Sequence, residues 1–138
     1  MKSIVKWVDS VQFVAEAGSG HALVVDGAPE HGGRNTGFRP MELVLAGAAS
    51  CTAFDVVLML NKSRQKFTRL HVDADAERAE ADPKVFTAIK LTFNIAGNDL
   101  DPAAVERAVN LSKEKYCSAT AMLGMTAKIT TEIVISAT

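Results

Sequence analysis

Cysteine is scarce in this chain of 138 residues: Cys51 and Cys117 are the only two. Two cannot form a disulfide scaffold or complete a four-ligand zinc site. His21, His31 and His71 are scattered without metal-ligand spacing, so they read as structural or solvent-facing, and no metal or other cofactor is expected. Glycine-rich phosphate loops, dinucleotide fingerprints and a Gly-x-Ser-x-Gly elbow are all missing. Gly18-Ser19-Gly20 joins two β-type segments instead of opening a helix, and is a turn. An excess of one charge is missing too. Fifteen basic against sixteen acidic side chains leave a net charge of −1, which argues against a nucleic-acid partner. Lys2 and Lys6 interrupt the start too early for a signal-peptide core, so the reducing cytoplasm is the expected compartment. There a structural bridge between the cysteines is disfavoured and a transient one is allowed.

What is present reads as one α+β domain over residues 1–138, of ordinary globular composition. Residues 2–8, 11–17 and 21–26 are β-type. Residues 27–37 hold four glycines and a proline, which forbid regular structure and mark a loop of the length that often carries function. Pro40 suits a first helical turn, and residues 41–60, MELVLAGAASCTAFDVVLML, continue that helix. Its length matches a bilayer span, but Glu42, Asp55 and amphipathic soluble-type flanks argue against a membrane partner. The remaining reason for a helix apolar on nearly every face is complete burial. A domain this small cannot easily surround such a helix alone, so a homodimer with this helix at its centre is expected.

Leu70, Val72, Ala74 and Ala76 then alternate with Arg69, His71, Asp73, Asp75 and Glu77, a strand with one wet side. After a turn at Ala81-Asp82-Pro83-Lys84, Val85, Thr87, Ile89, Leu91, Phe93 and Ile95 form the apolar face of an antiparallel partner. Asp101-Pro102 opens a second helix with the stripe Val105, Ala108, Val109 and Ser112. Cys117 falls at a break, Ser118 caps a short helix to Leu123, and residues 126–135 form a last strand. The order is βββ-α-ββ-α-β: antiparallel sheet wrapped around a long buried central helix.

Chemistry rests on the sulfurs. Mid-helix, Cys51 lacks the N-terminal dipole that lowers thiol pKa values, and Asp55 one turn on disfavours a thiolate, so the plainer reading is a small apolar residue among alanines. A reactive Cys51 needs a cation nearby, and Arg34 and Arg39 just before the helix are the candidates. Cys117 reads as a packing residue below Tyr116, or as a partner for Cys51 in a peroxidatic and resolving pair. A straight helix puts Glu42 about 13 Å in rise from Cys51 and on the opposite side. Glu42 can orient an arginine, meet a partner's site, or simply favour the positive end of its helix.

Pro40-Met41-Glu42-Leu43, Ala46-Gly47-Ala48-Ala49-Ser50-Cys51, the strand hairpin and Glu114-Lys115-Tyr116-Cys117-Ser118 together resemble the OsmC/Ohr family, the osmotically induced and organic-hydroperoxide-resistance proteins. Val5-Lys6-Trp7-Val8 and the run from Ala108 to Ser118 are most similar to its YhfA-type branch. The resemblance implies an intertwined α+β homodimer that reduces organic or hydrogen peroxides. Cys51 is then the attacking thiolate, Cys117 the resolving thiol, and an external dithiol such as a lipoyl group the reductant. Active members carry an arginine in the early turn and a glutamate directly after the proline. Here Gly18-Ser19-Gly20 and Met41 stand in those places, with Arg39 and Glu42 as the substitute pair. Those departures motivate an alternative, a non-catalytic dimeric protein binding an apolar ligand in its interface pocket.

Overall fold

The computed structural model describes Met1–Thr138, which divide into two compact units, Met1–Val44 and Leu45–Thr138. In the first, strands β1 (Ser3–Asp9), β2 (Gln12–Ala17) and β3 (Ala22–Val25) form an antiparallel meander. A bulge between Trp7 and Asp9 ends the β1–β2 register, and the Trp7 indole N–H donates to the Ser10 carbonyl at 2.8 Å. The expected loop contains one 3₁₀ turn, Pro29–His31, a local departure from its expected irregularity. Two of its glycines are required by close approach: a Cβ at Gly33 would lie 2.0 Å from the Gly27 carbonyl oxygen, and one at Gly37 2.2 Å from that of Val24.

Helix α1 (Pro40–Lys62) begins in the first unit and supplies the start of the second. By length and composition alone it is able to cross a membrane. Complete burial is not what one chain gives it. Ala48, Thr52, Val56 and Leu60 form a single buried stripe at i, i+4 spacing, while Phe54 and Leu58 are 67% and 54% exposed. One such stripe is all that a single small core can cover.

Strands β4 (Phe67–Arg78), β5 (Phe86–Gly97) and β6 (Lys128–Ser136) form the second sheet, with β5 central. β4 and β5 pair antiparallel as expected, but β6 pairs parallel with β5, so the sheet is mixed. The segment between them returns the chain to the start of β5, the crossover that a parallel pair requires. The expected β5 face also slips at its beginning. Arg78 pairs with Phe86 and Glu77 with Ala88, so Thr87 is an extra residue: Phe86 is buried and Thr87 exposed, before Ile89, Leu91, Phe93 and Ile95 resume the inward alternation.

Helix α2 (Pro102–Leu111) starts as expected, with the Asp101 carboxylate accepting from the Ala103 N–H at 3.0 Å. Its buried residues, Ala104, Val105, Ala108 and Val109, complete the core with β5 and the α1 stripe. The helix then widens into a π-turn, Ser112–Tyr116, and helix α3 (Ser118–Leu123) follows. Its cap is Cys117, not Ser118: the Cys117 backbone is extended, and its Sγ accepts from the Thr120 N–H at 3.4 Å.

Candidate functional site

Cys51 sits mid-way along α1, half-buried, in a shallow depression that it lines with Gly47, Ser50, Phe54, Asp55, Tyr116 and Ser118. Small residues at 47 and 50 flank it in that depression. The Ser50 hydroxyl turns back to the Ala46 carbonyl at 2.7 Å, so it does not compete for that space.

Cys117 is 2% exposed. Its N–H donates to the Ser112 carbonyl at 2.8 Å, closing the π-turn. Burial pushes its thiol up from the ordinary range, while hydrogen bonds from Thr120 oppose the shift. A further upward push comes from Cys51, both as a hydrogen-bond partner and as a charge. The two cysteines, 66 positions apart in sequence, are therefore neighbours within one chain, and both are free thiols.

Behind them lies a polar cluster not anticipated from sequence. Thr52 Oγ1 and Ser112 Oγ are 2.8 Å apart, and the Ser112 hydroxyl donates to Asp55 Oδ2 at 2.9 Å. Thr52 and Ser112 are both buried. The signal was a hydroxyl on each of two otherwise apolar stripes, since buried polar groups need partners and tend to find each other. Asp55 thus has a specific partner in the π-turn.

The supporting residues belong to the first unit and are described by their contacts there. The Arg34 guanidinium pairs with Asp9, and the Arg34 main-chain N–H donates to the Asp26 carboxylate at 3.2 Å. The Arg39 guanidinium donates to the Gly37 carbonyl at 3.3 Å. Glu42 meets Arg39 through the backbone: its Oε1 accepts from the Arg39 N–H at 2.8 Å, three residues back at the start of α1. This is half of a capping box, so the contact closes a helix end and is not a guanidinium–carboxylate pair.

A groove of about 530 Å³ runs between α1 and α2, with Leu58, Met59, Ala104, Ala108 and Leu111 as apolar lining and Lys62 and Arg107 as cations. It shares Asp55 and Tyr116 with the depression at Cys51.

Comparison with known proteins gives the same picture. A family model of OsmC-like proteins matches residues 32–132. The chain is 44% identical over 133 residues to Protein YhfA of Escherichia coli (strain K12), with 94% of each chain covered. The crystal structure of a hypothetical protein from Aquifex aeolicus VF5 superposes with a TM-score of 0.87 at 26% identity, over 99% of this chain and 96% of that one. The organic hydroperoxide resistance protein OhrB of Bacillus subtilis superposes with a TM-score of 0.65 at 18% identity, over 96% of each chain, a likeness of fold alone. The α+β architecture around a long central helix, the family model and the YhfA relative agree: the chain belongs to the OsmC-like family.

Proposed function

We propose that this protein is a cytoplasmic thiol-dependent peroxidase acting on organic or hydrogen peroxides as a homodimer. The observation that carries the reading is the meeting of Cys51 and Cys117 in one chain, the first half-exposed in a depression and the second buried behind it. An OsmC-like relationship, in a fold shared with a hydroperoxide resistance protein, supports it.

The Cys51 thiolate attacks the terminal peroxide oxygen; the O–O bond breaks, a sulfenic acid forms, and the alkoxide takes a proton and leaves as alcohol. Cys117 then attacks the Cys51 sulfur, forming a disulfide and releasing water. An external dithiol, of which a lipoyl group is one kind, restores both thiols and is itself oxidised to its disulfide. Burial is what chiefly keeps Cys117 protonated, and the Cys51 sulfur adds a smaller push in the same direction. Arg39, Arg34 and Glu42 remain the candidates for supporting the thiolate, read by whether Arg39→Ala raises the pH at which Cys51 alkylates.

Mass spectrometry after substoichiometric cumene hydroperoxide tests the reading. Wild type should lose two hydrogens, and Cys117→Ser should accumulate a dimedone-reactive Cys51. Absence of oxidation in both at near-stoichiometric peroxide overturns it.

The groove between α1 and α2 favours a second reading, a non-catalytic dimeric protein that binds an apolar ligand. Its volume falls within the range of small-molecule sites. That reading expects fatty-acid-like compounds to raise Tm equally in wild type and Cys51→Ser; no shift with any of them sinks it.

A further inference from the structure

We propose that Ser112 positions Cys117 against Cys51, its hydroxyl setting the rate of disulfide closure without affecting the rate at which Cys51 meets an oxidant. The proposal rests on the two-cysteine reading above and adds a residue that this reading does not use.

Ser112 is 0% exposed and stands where α2 gives way to the π-turn. Its two ends hold different segments. The main-chain carbonyl takes the Cys117 N–H at 2.8 Å. The side-chain oxygen lies 2.8 Å from Thr52 Oγ1 and 2.9 Å from Asp55 Oδ2. A carboxylate only accepts, so the single Ser112 proton goes to Asp55 and the Thr52 hydroxyl donates to Ser112. Thr52 directly follows Cys51, and Asp55 is one helical turn beyond it. One residue thus grips the backbone of one cysteine and the helical turn that carries the other. The hydrogen bonds between the Thr52–Asp55 turn of α1 and the π-turn all pass through Ser112.

The chemistry makes this grip consequential. Both cysteines are free, and a disulfide demands sulfurs about 2.05 Å apart with a defined dihedral angle. A π-turn is a wide, locally irregular piece of helix of the kind found at functional sites. Cys117 is attached to the end of such a turn, so its position relative to Cys51 depends on what ties that turn down. Without the Ser112 hydroxyl the turn keeps its main-chain bond but loses its link to α1, and the sulfur spends less time at attacking distance. Intramolecular attack is steeply sensitive to such placement.

The test needs no peroxide. The Cys51 thiolate attacks the aryl disulfide dithiobis(nitrobenzoate), releases one coloured arylthiolate and keeps the other as a mixed disulfide. Cys117 then attacks the Cys51 sulfur and expels the second arylthiolate, leaving the Cys51–Cys117 bond: one reagent reduced, two protein thiols oxidised. Ser112→Ala should slow the second release roughly tenfold or more and leave the first at the wild-type rate. Thr52→Val, which keeps side-chain shape and removes the hydroxyl, should slow it in the same direction, whereas Thr52→Ser should match wild type. A second release unchanged in Ser112→Ala, or both releases slowed in parallel, overturns the proposal. Should Ser112→Ala fail to fold, equal second-release rates in Thr52→Val and Thr52→Ser overturn it instead. A wild-type protein with a first release and no second overturns the two-cysteine reading itself, a different signature.

Discussion

One carboxylate holds the glycine-rich loop of the first unit. Asp26 is 1% exposed and accepts from the N–H groups of Gly27 at 2.7 Å, Arg34 at 3.2 Å and Thr36 at 3.2 Å, and from the Thr36 hydroxyl. The Thr36 hydroxyl does most to hold the Asp26 carboxyl at about 2, against burial, which pushes the other way. Its folded pKa therefore lies below the unfolded value of about 4. The stability that ionised Asp26 contributes is complete above that unfolded value and is lost as pH falls through about 2. Asp26→Asn should be less stable than wild type at neutral pH, with the gap in Tm closing as pH drops across that interval. A gap that stays constant there refutes this role. Sequence counted Asp26 as the last residue of a strand. Its partners are main-chain donors of a loop that folds back, and no side-chain pattern announces those.

At the scale of elements, α1 has two faces with different work. Leu60 is 0% exposed in the buried stripe, so Leu60→Ala should cost about 2–5 kcal/mol in denaturant unfolding. Leu58, on the outward side, should matter little to the dissociated chain. In a homodimer through this face, Leu58→Ala should weaken self-association, measured as a lower weight-average mass in sedimentation at equal concentration. Equal loss of stability from both substitutions in the dissociated chain contradicts the division. The sequence made the strands of the β4–β5 hairpin and the Asp101 cap legible, because period-two alternation and an Asp-Pro helix start are local signals. It did not reveal the slip at Thr87 or the π-turn. Each is one residue of extra backbone, and an insertion of one leaves composition and periodicity on either side untouched.

At the scale of the molecule, the family relationship and the α+β class were readable from the chain, and its scarcity of cysteine singled out Cys51 and Cys117 as the candidate pair. The parallel direction of β6 was not, since Ile129, Ile133 and Ile135 alternate equally well in either direction. Nor was the Thr52–Ser112–Asp55 cluster, whose members lie 60 and 57 positions apart. The proposed homodimer makes its own prediction here. Tm should rise with protein concentration, because an associated state that binds only folded chains gains by mass action. A Tm independent of concentration over a hundredfold range tells against it.

The parallel pairing of β5 with β6 has a consequence for how the molecule comes to life. Cys117 lies inside the crossover that such a pairing encloses, and the strand that completes it follows Cys117 in the chain. Non-local partners of this sort join late. On a growing chain Cys51 emerges well before Cys117, and Cys117 before β6, so the closure proposed for the two thiols waits for the crossover to be made and settled.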